Sequence, residues 1–98
     1  MAEIIIIGGG AAGMMAAVAA AGAGQNVVLI EKNEKLGKKL FITGKGRCNV
    51  TNACEVQDFF QHVMEHAKFL YSAVYGFDNH AVMAFFEQAG CPLKVERG

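Results

Sequence analysis

The chain has 98 residues, three cysteines, and nine basic against nine acidic side chains. That length holds one small domain and no more, and the even charge balance gives no basis for binding nucleic acid or an anionic membrane. An odd number of cysteines in no regular framework excludes a secreted disulfide scaffold and points to a reducing, cytoplasmic setting. No charge lies between Glu3 and Glu31, yet the GGG at Gly8, Gly9 and Gly10 and the Ala- and Gly-rich remainder exclude a membrane-spanning helix. With Glu3 and no Lys or Arg at its start, the segment also fails as a signal peptide.

The first element is a run of four isoleucines, residues 4–7. A short unbroken β-branched run predicts a strand buried on both faces of a parallel sheet. Gly8 stops it. Residues 11–21 have strong helix propensity, and Gly22 and Gly24 end that helix. Residues 27–30, VVLI, predict a second buried strand. Strand, helix and strand in this order form a βαβ unit with a right-handed crossover.

The turn between strand and helix carries the chemistry. Gly8, Gly10 and Gly13 fit G-x-G-x-x-G at the required place, after a strand and opening a helix. Gly8 permits the tight turn, Gly10 lets a pyrophosphate approach the backbone, and Gly13 lets helix and strand pack closely. The N–H groups of Ala11, Ala12 and Gly13, with the positive end of the helix dipole, face the phosphates. Glu31, at the end of the second strand, is placed to accept hydrogen bonds from the adenosine ribose hydroxyls and to repel a 2′-phosphate. Lys32 either flanks that ribose or is solvated, and solvation is the simpler reading. The motif by itself does not separate FAD from NAD.

Residues 14–21 of the helix show no polar outer face, although a helix covering a sheet normally has one. Something must cover this side too. The chain is therefore expected to be part of a longer one.

The next stretch, EKNEKLGKKLFITGKGRCNVTN over residues 31–52, separates the cofactors. With GGGAAG, LGKKL, TGKGRCNVTN and the tail FFEQAGCPLKVERG, the sequence resembles the aminoacetone-oxidase-type FAD-binding family. That family includes relatives of bile-acid 3-oxo-steroid reductases. The resemblance covers almost the whole chain. It implies an N-terminal βαβ of a Rossmann-like FAD/NAD(P)-binding α/β fold followed by helices, as part of a larger two-domain flavoprotein. It also implies that TGKGRCNVTN crosses the pyrophosphate towards the isoalloxazine. Arg47 or Lys39 would then pair with phosphate, Asn49 would bond the ring edge, and Cys48 would lie near the flavin. Without the resemblance these residues describe an ordinary hydrogen-bonding turn with solvated cations. Cys48 and Cys54 could in principle pair, but disulfide geometry is demanding and free thiols are the simpler reading.

In the second half, Val56, Phe59, Phe60, Val63, Ala67, Leu70 and Val74 recur at spacings of three and four. They predict one amphipathic helix, or two in tandem, ending by Gly76. Asp78 or Asn79 is placed to cap the next helix. Val82, Phe85, Phe86 and Ala89 form that helix's buried stripe, Gly90 and Pro92 close it, and residues 93–96 begin a strand. HVMEH matches the HxxEH zinc motif at His62, Glu65 and His66. No third ligand is identified, so His62 and His66 are read as polar-face residues of the helix and no metal is assigned. His80 is read as a surface residue of the last helix's first turn.

The chain thus divides into a dinucleotide-binding βαβ with its flavin-proximal loop, residues 1–55, and a helical segment, residues 56–98. The expected function is FAD-dependent hydride or electron transfer, with reduced nicotinamide, NAD(P)H, as donor and a small molecule as substrate. Catalytic residues are expected beyond Gly98. An NAD-dependent dehydrogenase and a non-catalytic nucleotide-binding module are the rival readings. Exposed sheet and helix faces are expected to need the remainder of the polypeptide or self-association.

Overall fold

The computed structural model describes residues 3–43 and 49–96. The backbone divides into two compact units, Met1–Asn49 and Val50–Gly98.

In the first unit β1 (Glu3–Ile7), α1 (Ala11–Gly22) and β2 (Asn26–Ile30) form the βαβ unit. The strands pair parallel, from Glu3 opposite Asn26 to Ile7 opposite Ile30. Side chains alternate across a strand. Accordingly Ile4, Ile6, Val27 and Leu29 are half-buried, while Ile5, Ile7, Val28 and Ile30 are exposed. The unbroken apolar runs, expected to be buried on both faces, are covered on one face only among the described residues. Ile7 keeps 81% of its surface exposed. Among the described residues no apolar side chain is fully buried.

α1 ends in a Schellman arrangement. Gly24 takes a positive φ of 83°, its N–H donates to Ala21 O, and Gln25 N–H donates to Ala20 O. Glycine suits this place because the left-handed conformation strains residues that carry a Cβ. After β2 a loop leads to α2 (Lys38–Ile42). No helix among the described residues is long and apolar enough to cross a membrane.

The second unit differs from its sequence expectation. The predicted amphipathic helix or tandem pair is broken into α3 (Val56–Phe59), a 3-10 turn at Phe60–His62, a second at Ala67–Leu70, and α4 (Tyr71–Gly76). Val63 is extended and His66 is left-handed, with φ 59°. Ring packing explains the break. Phe60 lies 4.5 Å from Tyr71 and 5.4 Å from Tyr75, between ring centroids. On one continuous helix Phe60 and Tyr75 would be separated by about 22 Å along the axis. Folding the segment back lets the rings meet, and edge-on aromatic pairs are favourable beyond their buried area.

α5 (Asn79–Gln88) is capped by Asp78, whose Oδ1 accepts from Ala81 N–H at 2.8 Å. Val82, Phe85 and Phe86 are half-buried as the stripe requires, but Ala89 is exposed. It is the C-cap residue, already past the last helical turn. Gly90 and Cys91 close the helix as Gly24 and Gln25 close α1, donating to Glu87 O and Phe86 O. The strand expected at residues 93–96 does not form, and among the described residues no ladder partner meets it.

Candidate functional site: the glycine turn and its clamp

The turn joining β1 to α1 is held from β2 and the loop beyond it. Gly8 N–H donates to Ile30 O at 2.8 Å, extending the parallel ladder by one residue. Gly9 N–H donates to Glu31 Oε1 at 2.9 Å. Gly9 O accepts from Gly37 N–H at 2.8 Å. Two main-chain bonds and one to the Glu31 carboxylate thus fix two successive glycines.

The glycines of the turn differ in what a side chain there would meet. A Cβ on Gly13 would overlap the carbonyl of Gly8 and come within 3.5 Å of Ile6 Cγ2. Gly13 is therefore the close contact between α1 and β1. Gly9 is buried, and a Cβ there would strike Leu36 Cδ2 and approach Leu29 and Glu31. At Gly8 and Gly10, by contrast, a Cβ would meet nothing within 4 Å. Glycine at Gly10 is thus not demanded by the protein's own packing. The space in front of it is open.

α1 begins with Gly10 as N-cap. No side chain caps it and no acidic residue lies in its first turn. The opening N–H groups of a helix have no partner within the helix. Here Ala11 and Ala12, both exposed, and half-buried Gly13 present theirs with the dipole's positive end unneutralised.

Glu31 is half-buried and bonded on both oxygens. Besides Gly9, its Oε2 accepts from Asn33 N–H at 2.8 Å. The Asn33 and Gly9 amides, in that order, hold its carboxyl below the usual range, against a smaller opposing effect of burial. An ionised carboxylate has about four acceptor positions. Two are in use here.

Lys32 is exposed and lines a hollow of about 590 Å³ with Asn33, Glu34, Lys35, Leu36, Lys38, Phe41 and Ile42. Lys39 is exposed in the last turn of α2 and does not line this hollow. Asn49 is exposed. Neither makes a hydrogen bond or ion pair to the glycine turn among the described residues. The structure brings Gly8, Gly10, Ala11, Ala12, Gly13 and Glu31 together. Arg47 and Cys48, with Lys45, lie outside the described residues.

Two clamp residues escaped the motif reading, Gly9 and Gly37. The middle glycine of the GGG run was a visible signal for Gly9. Nothing in the sequence announced that Gly37 reaches back to it.

The HVMEH string does not form a metal-binding face. His62 ends a 3-10 turn, Val63 is extended, and His66 sits left-handed outside any helix. The two imidazoles therefore lack the shared helical face the motif needs, and neither lies on the polar face of an amphipathic helix as expected. Glu65 and His66 form only an exposed contact at 3.9 Å. His80 is exposed in the first turn of α5, as read. Cys54 and Cys91 are free thiols.

A parallel βαβ with a glycine turn, an uncapped helix start and an acid closing the second strand defines a Rossmann-type dinucleotide-binding domain. The chain belongs to the HI0933-like family, whose Rossmann-domain model matches residues 2–98. It is also 38% identical over 72 residues to the 3-dehydro-bile acid delta(4,6)-reductase of Clostridium scindens. That alignment takes in 74% of this chain and 17% of the reductase, so the chain matches a small part of its relative's length.

Proposed function

We propose that this chain is the FAD-binding module of a flavin-dependent oxidoreductase and that it holds the ADP half of the cofactor. The observation that carries the proposal is the open cradle at Gly10 before an uncapped, acid-free start of α1. Membership of the HI0933-like family and likeness to a reductase support the reaction class.

The residues fit the group. The N–H groups of Ala11, Ala12 and Gly13 would donate to the pyrophosphate oxygens. Glu31 would accept from the adenosine ribose hydroxyls while keeping its bond to Gly9, so ribose and phosphate recognition share one rigid turn. Its ionised state excludes a 2′-phosphate from the same place. Lys32, next in sequence to Glu31, is exposed and either flanks the ribose or is solvated. From the family resemblance, Arg47 or Lys39 would pair with phosphate, and Cys48 and Asn49 would lie nearer the isoalloxazine. When bound, flavin supplies hydride or single-electron transfer. Reduced nicotinamide is proposed as donor and a small molecule as acceptor.

The test is the visible spectrum of the protein made from the whole gene, taken after gel filtration. A flavin spectrum that co-elutes with protein, identified as FAD after heat release, is the expected result. A colourless protein that also refuses added FAD would sink the flavin reading and turn attention to NAD.

A further inference from the structure

The loop from β2 to α2, together with α2 itself, walls the hollow of about 590 Å³. That volume lies in the range of small-molecule sites. None of Gly8, Gly10, Ala11, Ala12, Gly13 and Glu31 lines it. Two kinds of side chain meet there. Lys32, Lys35 and Lys38 bring three ammonium groups, against the one carboxylate of Glu34. Leu36, Phe41 and Ile42 bring apolar surface.

Neither kind finds a partner at the hollow. Among the described residues none of the three lysines pairs with a carboxylate. Leu36 keeps 53% of its surface exposed, Ile42 70% and Phe41 88%. A solvated lysine or an exposed apolar residue is ordinary when it stands singly. Gathered at one concave place, they complement a ligand that has an anionic group for the ammoniums and an apolar ring to cover the wall.

The wall is also held in place. Asn33 N–H donates to Glu31 Oε2 at 2.8 Å. Gly37 N–H donates to Gly9 O at 2.8 Å, and Phe41 N–H to Gly37 O at 3.0 Å. Leu36 Cδ2 lies so close over Gly9 that a Cβ there would strike it. A loop tied down at these points does not have to be ordered by the ligand, which removes one of the costs of binding.

The ADP half of a dinucleotide leaves this charge unexplained. In the proposed function its phosphates lie at the start of α1, and adenine carries no charge. We propose that the hollow is a second site, which takes a small organic anion bearing an apolar ring, such as a ring carboxylate or sulfonate.

The experiment titrates the full-length protein with naphthalene-2-sulfonate by calorimetry. It compares wild type, a double variant with Lys35→Glu and Lys38→Glu, and Phe41→Ala. All three positions are exposed, so both variants should melt close to wild type. One-site binding to wild type is expected, weakened by added salt because exposed charges are screened. Reversing two of the charges should weaken it about tenfold or more, and removing the Phe41 ring about threefold or more. The proposal needs both the charges and the apolar wall. It is overturned if wild type does not bind the probe, or if either variant binds it within about twofold of wild type. Should one variant fail to fold, the other decides. Saturating FAD should leave the probe's affinity unchanged, whereas competition between the two would assign the hollow to the dinucleotide site and overturn a second one. The probe titration does not depend on bound flavin, so this proposal and the flavin reading can fail separately.

Discussion

The carboxylate of Glu31, just past the end of β2, accepts a hydrogen bond from the backbone N–H of Gly9 at 2.9 Å. The acid expected to meet the ribose is thus also a structural part of the turn expected to meet the phosphates. Replacing it should damage both. Glu31→Gln keeps acceptor capacity on one oxygen only and should weaken FAD binding less than Glu31→Ala, which should weaken it on the order of tenfold. Titration of the refolded apoprotein with FAD measures both. Equal affinity of all three proteins would remove Glu31 from the site.

The same carboxylate should make the turn acid-sensitive. Its folded pKa lies below the ordinary value of 4.5, because the Asn33 and Gly9 amides stabilise the ionised form. The contribution is therefore complete above the ordinary value, and it is lost as pH falls from there through the lowered one. Hydrogen exchange at Gly9, corrected for intrinsic rates, should show protection falling across that window. Glu31→Gln should flatten the profile.

Gly10 and Gly13 should fail in different ways. Gly10→Val meets open space in the protein, so the apoprotein should melt close to wild type while FAD binding is abolished. Gly13→Ala forces a methyl group into the Gly8 carbonyl. It should destabilise the fold itself by about 1–3 kcal/mol, the usual cost of overpacking. Thermal melts paired with FAD titrations separate the two. A Gly10→Val protein that binds FAD normally refutes the cradle.

Asp78→Ala removes the acceptor for Ala81 N–H at the start of α5. Loss of such a cap should cost about 1 kcal/mol, read as a lower urea midpoint with unchanged slope. Because Asn79 is the next residue, this variant should be compared with Asn79→Ala for independence of effect.

The exposed side of the sheet, Ile5, Ile7, Val28 and Ile30, should make the 98-residue segment self-associate when produced by itself. Ile7→Lys, at the most exposed of these positions, should shift light scattering towards monomer without lowering the melting temperature. Monodisperse wild-type segment at high concentration would show that this face needs no cover.

The order of β1, α1 and β2, the glycine turn and the acid beyond β2 were determined by the sequence alone. Their signals are local: a β-branched run, glycines at fixed offsets and a helix-forming stretch each constrain the backbone within a few residues. The resemblance carried by TGKGRCNVTN added the cofactor class, which spacing did not contain. The tertiary structure decided the rest. It covered one face of β1 and β2 and left the other open, although the unbroken apolar runs were the same for both. It made Gly9 and Gly37 partners in the clamp on the turn, through a loop whose path no local pattern encodes. It broke the apparent helix from Val56 to Val74 and brought the rings of Phe60, Tyr71 and Tyr75 together. It set the Asn79 amide on two distant carbonyls, those of Asn52 and Cys54, when its position suggested a cap. Periodicity reports what a segment prefers in isolation, and these outcomes depend on contacts between residues far apart in the chain.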